Sequence, residues 1–210
     1  MNFSDILTEI SKFSSFLPVI FGLIYFKKIN KPFKRLVYFF CVSVFFEYFV
    51  TEFKKVYGTN VPLLHLFTPL EFSLFFWVFW KYFNKHIYIY ISVIFVFITI
   101  AFLDAFFINT IYTHNNVARP TESIVLIITS FYYYYLNLNS INKNTIIYKE
   151  AMFWFTTGVL IYFSINFYMF LMISQLVPPT AYLSIDIHSV FNIIANILFA
   201  KSFTCFKWKA

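Results

Sequence analysis

The sequence predicts an all-α polytopic membrane protein, a bundle of seven transmembrane helices, from its composition and its hydrophobic runs. Sixty per cent of the 210 residues are hydrophobic and only 12% are charged, whereas about a quarter of the residues in a soluble domain are charged. The hydrophobic residues form seven long runs, each close to the ~20 residues that cross a bilayer. Because only short polar connections separate these runs, residues 1–210 are expected to form a single transmembrane domain.

The seven predicted helices have expected bounds of residues 13–26, 36–53, 61–82, 87–107, 120–138, 151–176 and 182–203. The third contains Pro69, and the fifth begins at Arg119-Pro120, where proline suits the first turn. The fourth is almost wholly apolar and is expected to face lipid. Pro178-Pro179 separates the last two helices.

The distribution of basic residues predicts the orientation. Twelve of the sixteen Lys and Arg residues fall in the first, third and fifth connections and in the C-terminal tail. The opposite side holds Lys12, Lys54, Lys55 and Arg119. By the positive-inside rule, the N-terminus lies outside and the C-terminus in the cytoplasm. This bias accounts for the net charge of +7, so the expected partner is the lipid bilayer and no nucleic-acid partner is expected.

Polar residues recur at helical spacing in five of the predicted helices. In the seventh, Ser184, His188, Asn192 and Asn196 are four residues apart, so they lie on one side of the helix. The other stripes are Ser43, Glu47 and Thr51 in the second helix; His65, Thr68 and Glu71 in the third; Glu122, Thr129 and Tyr133 in the fifth; and Trp154, Gly158, Tyr162 and Asn166 in the sixth. A polar stripe on an apolar transmembrane helix is expected to face other helices or a cavity.

The depths of these stripes predict a polar pocket in the outer half of the bundle. At 1.5 Å per residue, carboxylates and imidazoles from four helices reach the same layer. The predicted ligand-binding residues are Glu47, His65, Glu71, Glu122, Tyr162, Asn166, His188 and Asn192. Among them, His65, Glu71 and His188 are expected to form the recognition centre. For the tyrosine and the asparagines, hydrogen bonding between helices is an equally good interpretation.

The charges of the predicted pocket do not balance. Glu47, Glu71 and Glu122 lie within spans, and Arg119 is expected to neutralise one of them from the rim. Placing an ionisable group within the membrane costs roughly 2.5–3.5 kcal/mol on insertion scales. The imbalance therefore indicates a protonated glutamate, a bound cation or a ligand with a cationic group.

Two other function classes stay open, and no catalytic residue is assigned. An intramembrane metal-dependent hydrolase would hold zinc with His65, Glu71, Glu122 and His188, although the sequence has no HExxH pair. A small transporter would need an internal repeat, and only the two histidines correspond between the two halves. A retinal pigment is excluded, because the only lysine of the last helix, Lys201, lies at its cytoplasmic end.

Five segments carry a resemblance to a known group of proteins. Residues 18–28, 65–72 (HLFTPLEF), 119–123 (RPTES), 153–163 and 187–198 resemble small bacterial seven-helix membrane proteins. Related membrane regions occur with sensor histidine kinases. The resemblance implies a sensory input module in a bacterial inner membrane that binds a small ligand. Since the chain ends just past the last helix, signal output is expected to require a separate partner, such as a histidine kinase.

Overall fold

The computed structural model describes residues 3–138, 147–172 and 178–206, with the side chains of all of these except 170–172 and 178–183. Most of the described residues are helical, and they include no β-strand. The helices are α1 (Phe3–Ser14), α2 (Phe16–Ile24), α3 (Lys31–Tyr57), α4 (Val61–Phe83), α5 (Ile87–Leu103), α6 (Ala118–Leu138), α7 (Ala151–Met172) and α8 (Pro178–Thr204). A π-helical turn, Asp104–Ile108, continues α5, and a 3₁₀ turn, Ile147–Lys149, precedes α7. The predicted all-α fold is confirmed.

Six helical stretches of the described residues are long and apolar enough to cross a membrane. They are Phe3–Ile24, Lys31–Tyr57, Val61–Phe83, Ile87–Ile108, Ala151–Met169 and Ser184–Thr204. Large apolar side chains on their outer surfaces, such as Phe45 (72% exposed) and Phe95 (70% exposed), suit a lipid environment. The prediction of a multi-pass integral membrane protein is confirmed. Helix α6 is 21 residues long but is not one of the six, so the count of seven spans stays a prediction.

The first apolar segment begins before the predicted residue 13 and is divided at Ser15. Because Pro18 has no N–H, the carbonyl of Ser14 loses its usual helical partner. The Ser14 hydroxyl donates to the carbonyl of Ser11 at 2.6 Å, and the Ser15 hydroxyl donates to that of Lys12 at 2.5 Å. Such bonds from side chain to backbone compete with helical geometry and account for the break between α1 and α2.

Helix α3 extends past both ends of the predicted range 36–53, because polar caps set its limits. At its start, the Asn30 side chain accepts from the N–H of Phe33 at 3.2 Å. At its end, Gly58 adopts φ = +76°, the left-handed conformation that commonly closes a helix. The other predicted helices begin and end within a few residues of α4 to α8. Residues 173–176 of the predicted sixth helix lie outside the described residues.

The helices pack around α8. Helix α8 contacts α1, α2 and α7, while α6 lies against α7 and α4, and α3 lies between α2 and α4. Helix α5 packs on the outside against α4 and α6, with only Phe97 and Ala101 of its residues buried. The α1 residues Ser11 and Ser14 bond in the same order to Asn192 and Asn196 of α8. Helices α1 and α8 therefore run in the same direction.

An aromatic cluster fills one end of the bundle. Phe75 of α4 stacks on Phe155 of α7 with ring centroids 5.7 Å apart, and it lies equally close to Phe199 of α8. Phe203 is fully buried in the same cluster. Gly158 lets α7 approach α8 here, because a Cβ atom at this position would lie 2.7 Å from the Phe199 ring. The polar cavity begins directly beyond this cluster.

Candidate functional site

A cavity of about 350 Å³, hereafter the central cavity, lies among α1, α3, α4, α6, α7 and α8. Four rings, Phe39, Phe40, Phe75 and Phe199, form its apolar floor. Its polar lining consists of Lys12, Ser15, Ser43, Glu47, Thr51, Glu71, Arg119, Tyr162, His188, Asn192 and Asn196. The cavity thus gathers residues from four of the five polar stripes that the sequence analysis identified.

The charged centre of the cavity wall is an ion triad of Arg119, Glu71 and Glu122. Nη1 of Arg119 donates to Oε2 of Glu71 and, at 2.9 Å, to Oε2 of Glu122. Both carboxylates are buried, and the arginine side chain is 12% exposed. At ordinary charge states, two carboxylates outnumber one guanidinium, so the triad has one negative charge in excess. Because an uncompensated charge is costly within a membrane, the triad favours a further positive charge beside it or a proton on one of its carboxylates.

Hydrogen bonds at the start of α6 hold Arg119 against α4. The buried carboxylate of Asp104, in the π-helical turn, accepts from the N–H of Ala118 at 2.9 Å. This places a negative charge at the positive end of the α6 dipole. Nδ2 of Asn115 donates to Oγ1 of Thr68 at 2.9 Å and ties the same turn to α4. Arg119 is the second residue of α6, so these contacts set its position.

His188 of α8 and Asn166 of α7 interact across the interface of their helices. Nε2 of His188 lies 3.2 Å from Oδ1 of Asn166. Since an amide oxygen only accepts, Nε2 of His188 carries the hydrogen and donates it. Tyr162, one turn before Asn166, lines the central cavity together with His188. The structure therefore brings these three predicted residues together beside Arg119.

Two asparagines of α8 serve helix packing as well as the cavity lining. Nδ2 of Asn192 donates to Oγ of Ser11, and Nδ2 of Asn196 donates to Oγ of Ser14, each at 2.9 Å. Both asparagines also line the central cavity. Their amide nitrogens thus bind α8 to α1, consistent with hydrogen bonding between helices.

Glu47 lines the side of the central cavity between α1 and α3. Its Oε2 lies 3.3 Å from Oγ of Ser15, whose single hydroxyl proton is used in the shorter bond to the carbonyl of Lys12. Lys12 lines the same side and forms an ion pair with Glu9 at 2.7 Å. Lys12 is thus at the cavity wall but is paired with Glu9. Its charge therefore does not neutralise the excess negative charge of the triad.

Three of the predicted binding residues are not on the wall of the central cavity, and one of them, Asn166, lines a neighbouring space instead. His65 contacts the carbonyl oxygen of Thr113 through Nε2 at 2.9 Å, and it lines a separate cleft between α4 and α5. Glu122 is fully buried and does not line the cavity. It is linked to the cavity wall by its hydrogen bond from Arg119. The structure therefore brings Glu71 and His188 to one cavity and leaves His65 outside it.

The described residues include no group of three or more His, Cys, Asp and Glu side chains that could hold a metal ion. The four residues considered for zinc, His65, Glu71, Glu122 and His188, are divided between the cleft and the region of the triad.

No family model, curated protein or solved structure matches the chain. The resemblance to small bacterial seven-helix proteins, and through them to histidine kinase input regions, thus stays a prediction.

The lining of the central cavity is suited to holding a small polar molecule. Its volume lies within the range of about 300–1,000 Å³ that is typical of small-molecule sites. Amide, imidazole and phenol groups can orient a ligand, and the aromatic floor can cover its apolar part. The negative excess at the triad can attract a cationic group of the ligand.

Proposed function

We propose that the protein is a membrane sensor or receptor-like module that binds a small ligand with a cationic group in the central cavity. The observation that carries this proposal is the ion triad, in which one guanidinium faces two buried carboxylates. A ligand ammonium beside Glu71 would balance the charge and replace water at a largely buried carboxylate. Charge-assisted hydrogen bonds of this kind contribute about 1.5–3 kcal/mol.

In the proposed arrangement α6 is a seventh span. Helices α1 and α8 run in the same direction, which requires an odd number of crossings if successive helices alternate. Helix α6 also follows α4 over a long distance, from the Arg119–Glu71 ion pair to the contact between the rings of Tyr133 and Tyr82, whose centroids are 5.1 Å apart. Its charged residues Arg119 and Glu122 are paired within the bundle, which makes a membrane position tolerable.

The proposed orientation has the N-terminus outside, the C-terminus in the cytoplasm and the central cavity in the outer half of a bacterial inner membrane. The excess of basic residues on one side supports the orientation. A ligand would then arrive from outside, and a separate signalling partner, such as a histidine kinase, would respond on the cytoplasmic side. We do not extend the proposal to hydrolysis or transport, because no contact among the described residues favours either.

Binding of n-propylamine to the purified full-length protein in lipid nanodiscs tests the proposal. Calorimetry at neutral pH should detect propylamine binding. Glu71→Gln keeps the shape of the side chain and an acceptor for Arg119 but removes the excess charge. We expect this variant to bind propylamine at least about tenfold more weakly.

The matched control is Leu74→Met, a change of similar volume one turn along α4, which should bind propylamine like the parent. The thermal midpoint of Glu71→Gln should stay close to that of the parent, since its hydrogen bond to Arg119 is retained. Equal propylamine affinity in Glu71→Gln and the parent would show that the triad does not recognise the cation.

A further inference from the structure

A second chamber of about 300 Å³ adjoins the central cavity between α4, α6, α7 and α8. Arg119, Tyr162 and His188 line both spaces and form the partition between them. The second chamber, hereafter the Asn166 chamber, also contains Asn166, Asn115 and His114. Only single side chains thus separate the two spaces, so a short molecule could place one end in each.

The two spaces differ in the charge of their linings. Glu47 and Glu71 line the central cavity, whereas no carboxylate is among the described residues that line the Asn166 chamber. The polar groups that line the chamber are instead a guanidinium, a phenol, two imidazoles and two amides. Nδ2 of Asn115 is already used, since it donates to Oγ1 of Thr68. The remaining polar groups leave the chamber rich in donors.

Two residues of the chamber, Asn166 and Arg119, have unused donors. Asn166 is 7% exposed, its Oδ1 accepts from His188, and its Nδ2 makes no hydrogen bond of ordinary geometry within the described part of the chain, although the Tyr162 hydroxyl lies near the amide. Both ion pairs of Arg119 use Nη1. Its Nη2 and Nε donors make no hydrogen bond to the residues that the structure describes. A buried donor without a partner costs about 1–3 kcal/mol, which an acceptor group on a ligand would offset.

We propose that the Asn166 chamber is a subsite for a carboxylate and that the ligand is therefore a small amino acid or a similar zwitterion. This inference rests on the proposed function, since the ammonium of the same ligand would lie in the central cavity beside Glu71. Arg119 connects the two subsites: Nη1 holds Glu71, and its free donors face the ligand carboxylate. The planar fork of a guanidinium fits a carboxylate through two parallel hydrogen bonds. The Nδ2 donor of Asn166 completes the recognition of the carboxylate.

The test uses three probes that share a three-carbon chain: n-propylamine, propionate and β-alanine. The full-length protein in nanodiscs should bind β-alanine more tightly than either probe with a single charged group. Asn166→Asp keeps an acceptor oxygen for His188 and replaces the unused donor with an acceptor. In this variant, binding of propionate should be lost and β-alanine should bind at least about tenfold more weakly, whereas propylamine binding should persist.

Asn166→Ala provides the same comparison without a new buried charge, so the test does not depend on the folding of the aspartate variant. Leu74→Met, which lies outside both spaces, is the control and should bind all three probes like the parent. If propylamine binds but β-alanine binds no better, or if both Asn166 variants bind propionate like the parent, the carboxylate subsite is wrong and the proposed function stands. If propylamine does not bind to the parent, both are wrong.

Discussion

At the scale of single residues, Arg119 supplies the positive charge that faces two buried carboxylates. Glu71 and Glu122 both accept from the same nitrogen of the guanidinium. Breaking a buried ion pair by removing one partner typically costs about 3–5 kcal/mol, since the other charge is left uncompensated. The triad is therefore the proposed recognition element, and we expect it also to stabilise the folded bundle.

We expect Arg119→Met to lower the free energy of unfolding by about 3–5 kcal/mol, because two carboxylates would then repel each other in the bundle. Thermal unfolding of the purified protein in detergent, followed by tryptophan fluorescence, measures the effect. Adding Glu71→Gln and Glu122→Gln to this variant removes the repulsion and should restore part of the loss. A thermal midpoint unchanged in Arg119→Met would contradict a structural role for the triad.

Helical spacing predicted part of the site and explains why His65 lies outside the central cavity. Glu71, His188 and Asn192 lie on polar stripes that do face the central cavity. His65 precedes Glu71 by six residues, and at 100° per residue this places the two side chains about 120° apart. His65 accordingly faces α5 and the carbonyl of Thr113. The burial of Arg119 depends on hydrogen bonds to residues that are far away in the sequence, such as Glu71. Residue spacing within one helix does not predict such bonds.

At the scale of helices, the start of α6 is held by a cap from outside the helix. Asp104 accepts from the N–H groups of Ala118 and Val117 and from Nδ2 of Asn109. The carboxylate therefore satisfies donors that a helix start leaves unpaired and adds a favourable interaction with the helix dipole. Since Arg119 follows directly, this cap supports the geometry of the triad.

We expect Asp104→Ala to lower the free energy of unfolding by about 1–3 kcal/mol, because it leaves buried N–H donors without an acceptor. It should also weaken propylamine binding, since the position of Arg119 is loosened. Glu52→Ala, which removes an exposed ion pair to Lys55, should change stability by less than about 1 kcal/mol. Thermal unfolding of both variants checks the difference. An effect of Asp104→Ala no larger than that of Glu52→Ala would show that the cap is dispensable.

The existence of the helices was easier to predict than their ends. Membrane thickness fixes the length of an apolar run, so the runs indicate where the helices lie. The ends depend on caps outside those runs, such as Asn30 and Gly58 for α3, which hydropathy does not detect. The break at Ser15 likewise depends on Pro18 and on serine hydroxyls.

At the scale of the whole molecule, the bundle has an aromatic end and a polar end. The rings of Phe75, Phe155 and Phe199 close the floor, and the ion triad lies on the wall above them. The order of helices around the bundle could not be predicted, because it depends on which apolar faces fit together. The placement of α8 beside both α1 and α2 is an example, since it requires contacts between distant parts of the chain.

We expect a fluorescent protein fused after Ala210 to fluoresce in cells, because it should fold in the cytoplasm. Alkaline phosphatase at the same position should be inactive. The physical reason is the excess of basic residues on this side of the bundle. Fusions after Gly58, at the end of α3, serve as the control and should give the reverse result. Phosphatase activity after Ala210 would contradict the orientation.

The central claim is that a water-accessible cavity with excess negative charge lies inside the bundle. Ser43 lines that cavity, whereas Ser130 is fully buried outside it. Each would be replaced by cysteine in a chain that carries Cys41→Ala and Cys205→Ala. The measured quantity at each cysteine is a ratio of two labelling rates. The first is the rate for cationic aminoethyl methanethiosulfonate, and the second is the rate for neutral methyl methanethiosulfonate.

We predict that Ser43→Cys reacts and Ser130→Cys does not. The ratio of the cationic to the neutral rate at Ser43→Cys should fall severalfold when Glu71→Gln is added, because the attraction of the excess carboxylate is lost. Failure of Ser43→Cys to react with either reagent would contradict the cavity. A ratio that Glu71→Gln leaves unchanged would contradict the recognition of a cation by the triad.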